Sequence, residues 1–306
     1  MTMNRITFPL IFILFIGCNT GKKIPAAQKL TDEETLQWIE SHVDSVLVRN
    51  TFPAPNGLEL PYRLFSPPSG VRRKIPLVIF LHGRGDRGTD NGKKIYENTG
   101  LFTNLQSLIS PNMQVKYPCY VLVPQCSDKT VNEEWAKWVG NSPETPFKGL
   151  GKDGSYIMHD DPSESGAATL ALIEEQIKSL PIDPDRVYLI GLSMGGFGTW
   201  EFTARRPELF AAAVPMAGFS DPSQVEKIKH IPFWIFHGDA DKSNPVDGSR
   251  TMYHLLKEAD ADVKYTEYTG AGHGESFKIA FQEPDLIPWM FSKKRHKIKG
   301  AKRVHP

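Results

Sequence analysis

Cysteine is scarce in this chain, with Cys18, Cys119 and Cys126 the three among 306 residues. Three thiols cannot build a disulfide scaffold, so a packed core must hold the fold. With 40% hydrophobic residues the chain can bury one, as a large α/β domain or two small ones. An excess of one charge is also missing, because 36 Lys and Arg face 35 Asp and Glu for a formal net charge of +1. That balance argues against a nucleic acid as main partner, since phosphate binding needs a basic surface. With so many apolar residues it also excludes a disordered chain. Beyond residue 17 no apolar run is long enough to cross a bilayer, and beyond Thr31 there is no repeat or low-complexity segment. The phosphate-loop pattern Gly-x-x-x-x-Gly-Lys-Ser/Thr of nucleotide-binding proteins is absent. No cysteine–histidine group has zinc spacing. No metal or cofactor is expected.

The amino terminus reads as an export signal. Arg5 precedes an apolar run that is short for a membrane span and interrupted by Pro9. The run ends in Phe15-Ile16-Gly17-Cys18, which resembles a bacterial lipobox with Phe15 in place of the usual Leu. The resemblance implies a signal peptide over residues 1–17 and lipidation of Cys18 as the mature amino terminus. The protein is then expected in the bacterial cell envelope, touching the membrane through its lipid. An ordinary signal peptide or a short anchor helix is the alternative. Residues 18–30 are polar and turn-rich, as in a tether. Cys119 and Cys126 bracket an apolar strand, which would hold them about 23 Å apart. They are expected to be unpaired packing residues.

From Thr31 the chain reads as one domain over 31–292, followed by a basic, solvated tail over 293–306. Asp32–Val43 has helical character. Ser45–Thr51 and Leu58–Phe65, separated by Pro53-Ala54-Pro55-Asn56-Gly57, suggest an opening antiparallel pair. Short apolar strands then alternate with helices. Strands are expected at Ile75–Leu81, Cys119–Val123, Val187–Ile190, Phe210–Val214, Ile231–Phe236 and Val263–Tyr268. Helices are expected at Glu164–Leu180, Gly195–Arg206, Ser249–Glu258 and Pro284–Phe291. Wholly apolar strands between helices mean a mostly parallel sheet covered on both faces. Ligands bind beyond the carboxyl ends of such strands. The long segment 126–162, with Trp135, Trp138 and Tyr156, is expected to form a lid or pocket wall.

One strand, Val187–Ile190, runs directly into Gly191-Leu192-Ser193-Met194-Gly195-Gly196, with a helix after it. Gly-x-Ser-x-Gly in this setting projects a serine from a strained turn, and glycines are needed on either side because side chains there would collide. The serine stands at a helix amino terminus, whose amides can meet a developing anion. Serine needs a base, and the base needs a carboxylate to orient it. In this architecture the chain order is Ser, Asp or Glu, then His. Two further strands end in His237-Gly238-Asp239-Ala240-Asp241 and in Thr269-Gly270-Ala271-Gly272-His273. His273, in a glycine-flanked loop, is the expected base, since His296 and His305 lie in the tail. Asp241 is the best-placed acid, with Asp239, Asp247 and Asp221 as alternatives. For the oxyanion, the Met194 amide supplies one donor. The glycine-rich segment after Leu81 supplies another, at the Arg84 amide.

These segments together resemble the α/β-hydrolase superfamily over roughly residues 58–294. The likeness is to secreted bacterial esterases of the polyhydroxybutyrate depolymerase, feruloyl esterase and phospholipase/carboxylesterase type. Leu81–Gly88, Val123–Cys126, Asp183–Tyr188, Gly191–Trp200, Arg205–Ala212 and Gly270–His273 carry it. The resemblance implies Ser193 as nucleophile, His273 as base, Asp241 as acid and oxyanion amides at Arg84 and Met194. Relatives often have a small residue where Arg84 stands, and an arginine there is expected either to favour anionic esters or to pair with a nearby carboxylate. The implied activity is cleavage of carboxylic esters through an acyl-enzyme, on small, phenolic or polysaccharide-linked esters, with Trp135 and Trp138 as candidate substrate contacts. The alternatives are a peptidase of the prolyl-oligopeptidase type, for whose propeller domain the chain is short, and a non-catalytic binding lipoprotein.

Overall fold

A computed structural model describes residues 29–67, 73–97, 99–128, 137–140 and 156–295. The expected signal peptide and Cys18, the tether up to residue 28, Trp135 and residues 296–306 lie outside the described residues. Among those described, the strands are β1 (Val48–Pro53), β2 (Glu59–Phe65), β3 (Ile75–Leu81), β4 (Tyr120–Pro124), β5 (Ile182–Leu192), β6 (Ala212–Met216), β7 (Phe233–Gly238) and β8 (Val263–Tyr268). The helices are α1 (Asp32–Val46), α2 (Lys94–Glu97), α3 (Gly100–Thr103), α4 (Pro111–Lys116), α5 (Glu164–Ser179), α6 (Met194–Arg205), α7 (Val225–Ile228), α8 (Val246–Glu258), α9 (His273–Ala280) and α10 (Leu286–Ser292). None of these helices is long and apolar enough to cross a membrane.

All the strands join one sheet, in the order β1-β2-β4-β3-β5-β6-β7-β8. Antiparallel pairing is confined to β1 with β2 and β2 with β4, and every later pair is parallel. The opening pair and the parallel body are both as expected. Every residue of β3 is buried, and its side chains alternate between two cores. Leu77, Ile79 and Leu81 join the core that includes Trp200, Ile173 and Met252, from α6, α5 and α8. Val78 and Phe80 point the other way, toward Phe102, Leu286 and Met290 of α3 and α10. Successive strand residues point to opposite faces, so a strand apolar at every position needs cover on both.

Boundaries differ where a local signal is weak. β5 begins five residues early because Ile182 pairs with Ile75, and the chain bulges through Asp183-Pro184-Asp185 before Val187 meets Leu77. Such an insertion hides the strand from a pattern reading. The carboxyl-terminal tail also departs from expectation at its start. Lys293 pairs with Asp262 at 2.6 Å, and Arg295 donates to Asp185 at 2.8 Å and to the Glu208 carbonyl at 2.6 Å. Residues 293–295 are thus fastened to the body rather than solvated, because carboxylates and a loop carbonyl lie within reach.

Candidate active site

The carboxyl ends of β3, β5, β7 and β8 lie on one rim of the sheet, and each delivers part of the site. Ser193 follows β5 and precedes the first residue of α6, with φ 53° and ψ −119°. A non-glycine residue at positive φ is strained and persists only where its surroundings leave no alternative. The surroundings here are backbone. A Cβ at Gly191 would lie 2.1 Å from the Gly195 carbonyl oxygen, and one at Gly195 would lie 2.0 Å from that of Leu81. The Ser193 N–H donates to the Met216 carbonyl of β6 at 2.9 Å. Met194, as first residue of α6, has no carbonyl one turn back within its helix to receive its N–H.

Asp241 follows β7, and its carboxylate is fully buried. Four donors converge on it. Oδ1 accepts from the Ser243 N–H at 2.7 Å and the Asn244 N–H at 2.9 Å. Oδ2 lies 2.6 Å from His273 Nδ1 and 3.2 Å from His237 Nε2. Burial alone would raise this carboxyl, but the bonds from His237, His273 and the Asn244 amide outweigh it and hold the group well below the usual carboxylate range. On its other side the His273 ring presents Nε2 to Ser193 Oγ at 2.8 Å. The hydrogen-bonded run Ser193–His273–Asp241 therefore spans three strand ends and 80 residues of sequence between its first two members. Asp241 lies at the carboxyl end of the strand before β8, where its carboxylate fixes which ring nitrogen of His273 carries the proton.

The segment after β3 closes the third side. His82 is buried, its Nδ1 2.7 Å from the Gly83 carbonyl and its Nε2 accepting the Cys126 N–H at 3.0 Å. Burial pushes its imidazole down to about 4, against the bond to the Gly83 carbonyl. The ring is thus neutral, with its proton on Nδ1. Gly83 packs so closely that an added Cβ would lie 3.0 Å from Leu192 and 3.7 Å from Ser193 Cβ. A cleft of about 620 Å³ opens here, lined among others by Gly83, Arg84, Asp86, Ser193, His273 and Phe277. Lys94, Asn244 and Lys278 also line it and carried no sequence motif. Burial pushes the Asp86 carboxyl up to about 6, opposed by a hydrogen bond with the Gly83 backbone and by the charge of Lys94.

The other candidates fall elsewhere. Asp239 accepts the Gly270 N–H at 2.7 Å and ties the β7 and β8 loops together. Asp221 accepts from the Ser223 and Met158 amides, each at 2.9 Å. Asp247 pairs with Arg250 at 2.8 Å. Trp138 is a correction: it does not line the cleft but is wholly buried, packed edge-on to His82 and Phe202. Its indole N–H donates to the His82 carbonyl at 3.0 Å, so it supports the loop after β3 from beneath. A large ring with one polar atom fits such a place well. Within the 126–162 segment, Gly140 donates its N–H to Glu201 at 2.9 Å, and Glu201 pairs with Arg205. Arg205 in turn donates to the carbonyls of His159, Asp160 and Asp161. His273 itself opens α9 instead of sitting in a loop. Ser276 and Ala280, four apart, are the buried residues of that helix. Cys119 and Cys126 are buried thiols at the two ends of β4.

Comparison with known proteins finds likenesses to ester hydrolases. The model of the dienelactone hydrolase family matches residues 157–283, which include Ser193, Asp241 and His273. The crystal structure of a thermostable esterase is 36% identical, with a TM-score of 0.69, over 82% of this chain and 64% of that one. The carboxylesterase SOBER1 of Arabidopsis thaliana is 27% identical over 208 residues, 66% of this chain and 84% of that protein. Poly(3-hydroxyalkanoate) depolymerase C of Paucimonas lemoignei is 27% identical over 151 residues, 49% of this chain and 30% of the depolymerase. The chain therefore spans under two thirds of the thermostable esterase and under a third of the depolymerase. An eight-stranded, mostly parallel sheet, a strained serine between β5 and α6, and these likenesses lead to one statement about architecture: the chain has the α/β-hydrolase fold.

Proposed function

We propose that this protein is a serine hydrolase that cleaves carboxylic esters through an acyl-enzyme. The observation that carries the reading is the run from Ser193 Oγ through His273 to Asp241, at 2.8 and 2.6 Å, on the wall of an open cleft. Ser193 attacks the ester carbonyl while His273 Nε2 takes its proton, and Asp241 stabilises the imidazolium that results. The tetrahedral oxygen meets the backbone N–H groups of Met194 and Arg84. His273 returns the proton to the departing alcohol, leaving the acyl group on Ser193. Water, deprotonated by the same imidazole, then releases the acid. The esterase names of the relatives support this class of substrate, and the cleft's size suits a small ester.

A panel of short acyl, feruloyl and acetyl-sugar esters, run beside short peptides, tests the proposal. Turnover of at least one ester class is expected. Cleavage of peptides alone would replace it with a peptidase, and no turnover by folded protein would leave a binding module. Anchoring through Cys18 belongs to the same proposal and is supported by the lipobox pattern. Cys18→Ser should move the protein from the membrane to the soluble envelope fraction, and unchanged retention would contradict it.

A further inference from the structure

His237 is a buried imidazole that the mechanism above does not use. It lies in β7, whose residues are all buried, and none of its side chain is exposed. Its Nε2 lies 3.2 Å from Asp241 Oδ2 and 3.2 Å from the Asn244 carbonyl oxygen. Both neighbours are acceptors, so Nε2 must carry a hydrogen. Its Nδ1 lies 2.7 Å from Ser249 Oγ, which sits 3.2 Å from the Gly218 carbonyl. Ser249 fixes the ring from α8 while Asn244 fixes it from the loop after β7. The nearest charged groups are Asp241 on its own loop, His273 at the start of α9, and Glu267, its partner across β8, which pairs with Arg250.

We propose that His237 is a positioning residue of the hydrolytic site, holding Asp241 Oδ2 with a second imidazole N–H so that the carboxylate faces His273 in one orientation. The inference rests on the ester-hydrolase reading of Ser193, His273 and Asp241. One carboxylate oxygen then serves two rings. His273 takes the shorter bond, at 2.6 Å, and His237 the longer, at 3.2 Å. Negative charge on that oxygen is shared between two donors, which tempers how strongly Asp241 stabilises a protonated His273. The extra donor also removes a degree of freedom, since a carboxylate held at both oxygens cannot rotate away as the base gains and loses its proton. Histidine suits the place because its two nitrogens reach Ser249 and Asp241 from one rigid ring.

The test compares three variants of the full chain on one uncharged ester, reading kcat, KM and the acid limb of kcat/KM against pH. His237→Leu removes the donor. His237→Asn keeps polarity but is too short to reach Asp241. His237→Gln places an amide N–H near the position of Nε2. His237→Leu and His237→Asn should each lower kcat by about 10- to 100-fold with little change in KM. With one donor gone, Oδ2 presents more charge to His273, so the acid limb should move to higher pH. His237→Gln should recover most of the rate and the original limb. If His237→Leu fails to fold, the contrast between Asn and Gln carries the same decision. Equal losses in Asn and Gln with an unmoved acid limb would mean that His237 only packs the loop, and the proposal would fall. Wild-type rates in His237→Asn would also overturn it while leaving ester hydrolysis intact. Wild-type protein that turns over no ester at all would overturn both.

Discussion

Ser193 stands where it does because backbone crowds around it, whereas Asp241 and His273 are held by hydrogen bonds to their own side chains. On the serine side the restraints are carbonyl oxygens about 2 Å from any Cβ at Gly191 or Gly195, and a φ of 53° at the serine itself. On the acid–base side, Asp241 collects two amides and two imidazoles, and His273 bridges it to the serine. The first device is steric and acts before any proton moves. The second is electrostatic and, in the proposed mechanism, must survive a change of charge on His273 during each turnover. On the proposed reading, such a site keeps its nucleophile rigid and tunes its base separately.

The sharpest way to break that contrast is to damage each side in turn. Ser193→Ala and His273→Ala should each lower kcat by roughly 10⁴- to 10⁶-fold, and the double variant should be little worse because the pair acts as a unit. Asp241→Asn should cost up to about 10⁴-fold, with the fold retained. Gly195→Ala should instead lower the melting temperature along with activity, since its methyl group has no room beside the Leu81 carbonyl. Rates and thermal unfolding of this series check both sides. Losses at Ser193 and His273 that multiply, or a Gly195→Ala variant of unchanged stability, would contradict the division.

The same contrast explains what was legible in the sequence. Backbone restraint writes itself into local pattern: Gly191, Ser193 and Gly195 at fixed spacing after an apolar strand mark the candidate nucleophile without any partner in view. β3 and β8 were legible to the residue, β3 because it is apolar throughout and β8 because a turn signal follows it at once. Chain order then pointed to Asp241 and His273. Side-chain restraint leaves no such trace. His237 looks like the end of a strand, and only the folded loop brings its Nε2 to Asp241. Trp138 misled for a related reason. An aromatic in a long loop reads equally well as a pocket wall or as a plug beneath one, and its bond to the His82 carbonyl is set by tertiary packing. Lys94 and Lys278 reach the cleft from α2 and α9, two helices that the pattern reading did not find.

Those lysines bear on a smaller effect that sharpens the comparison at the mouth of the site. Arg84, Lys94 and Lys278 are exposed and line the cleft, while half-buried Asp86 is raised to about 6. If the Arg84 side chain meets substrate, Arg84→Ala should raise KM for carboxylate-bearing esters about two- to tenfold and leave neutral esters unchanged. In the wild type, Asp86 takes up a proton as pH falls through about 6, which removes a negative charge from the cleft. The ratio of kcat/KM for anionic over neutral esters should therefore rise on acidification. Equal losses on both ester classes would make Arg84 a loop residue only.

The central claim is that Ser193 is activated by its place in the run to Asp241. An organofluorophosphonate probe read by intact mass is the sharpest readout, because an activated serine displaces its fluoride to form a phosphonyl ester, an ordinary serine hydroxyl does not, and no knowledge of the substrate is needed. One adduct is expected on wild-type protein, on Ser193, none on Ser193→Ala, and much slower labelling of His273→Ala. A folded wild-type protein that takes no adduct, or a Ser193→Ala variant that labels as fast as wild type, would contradict it.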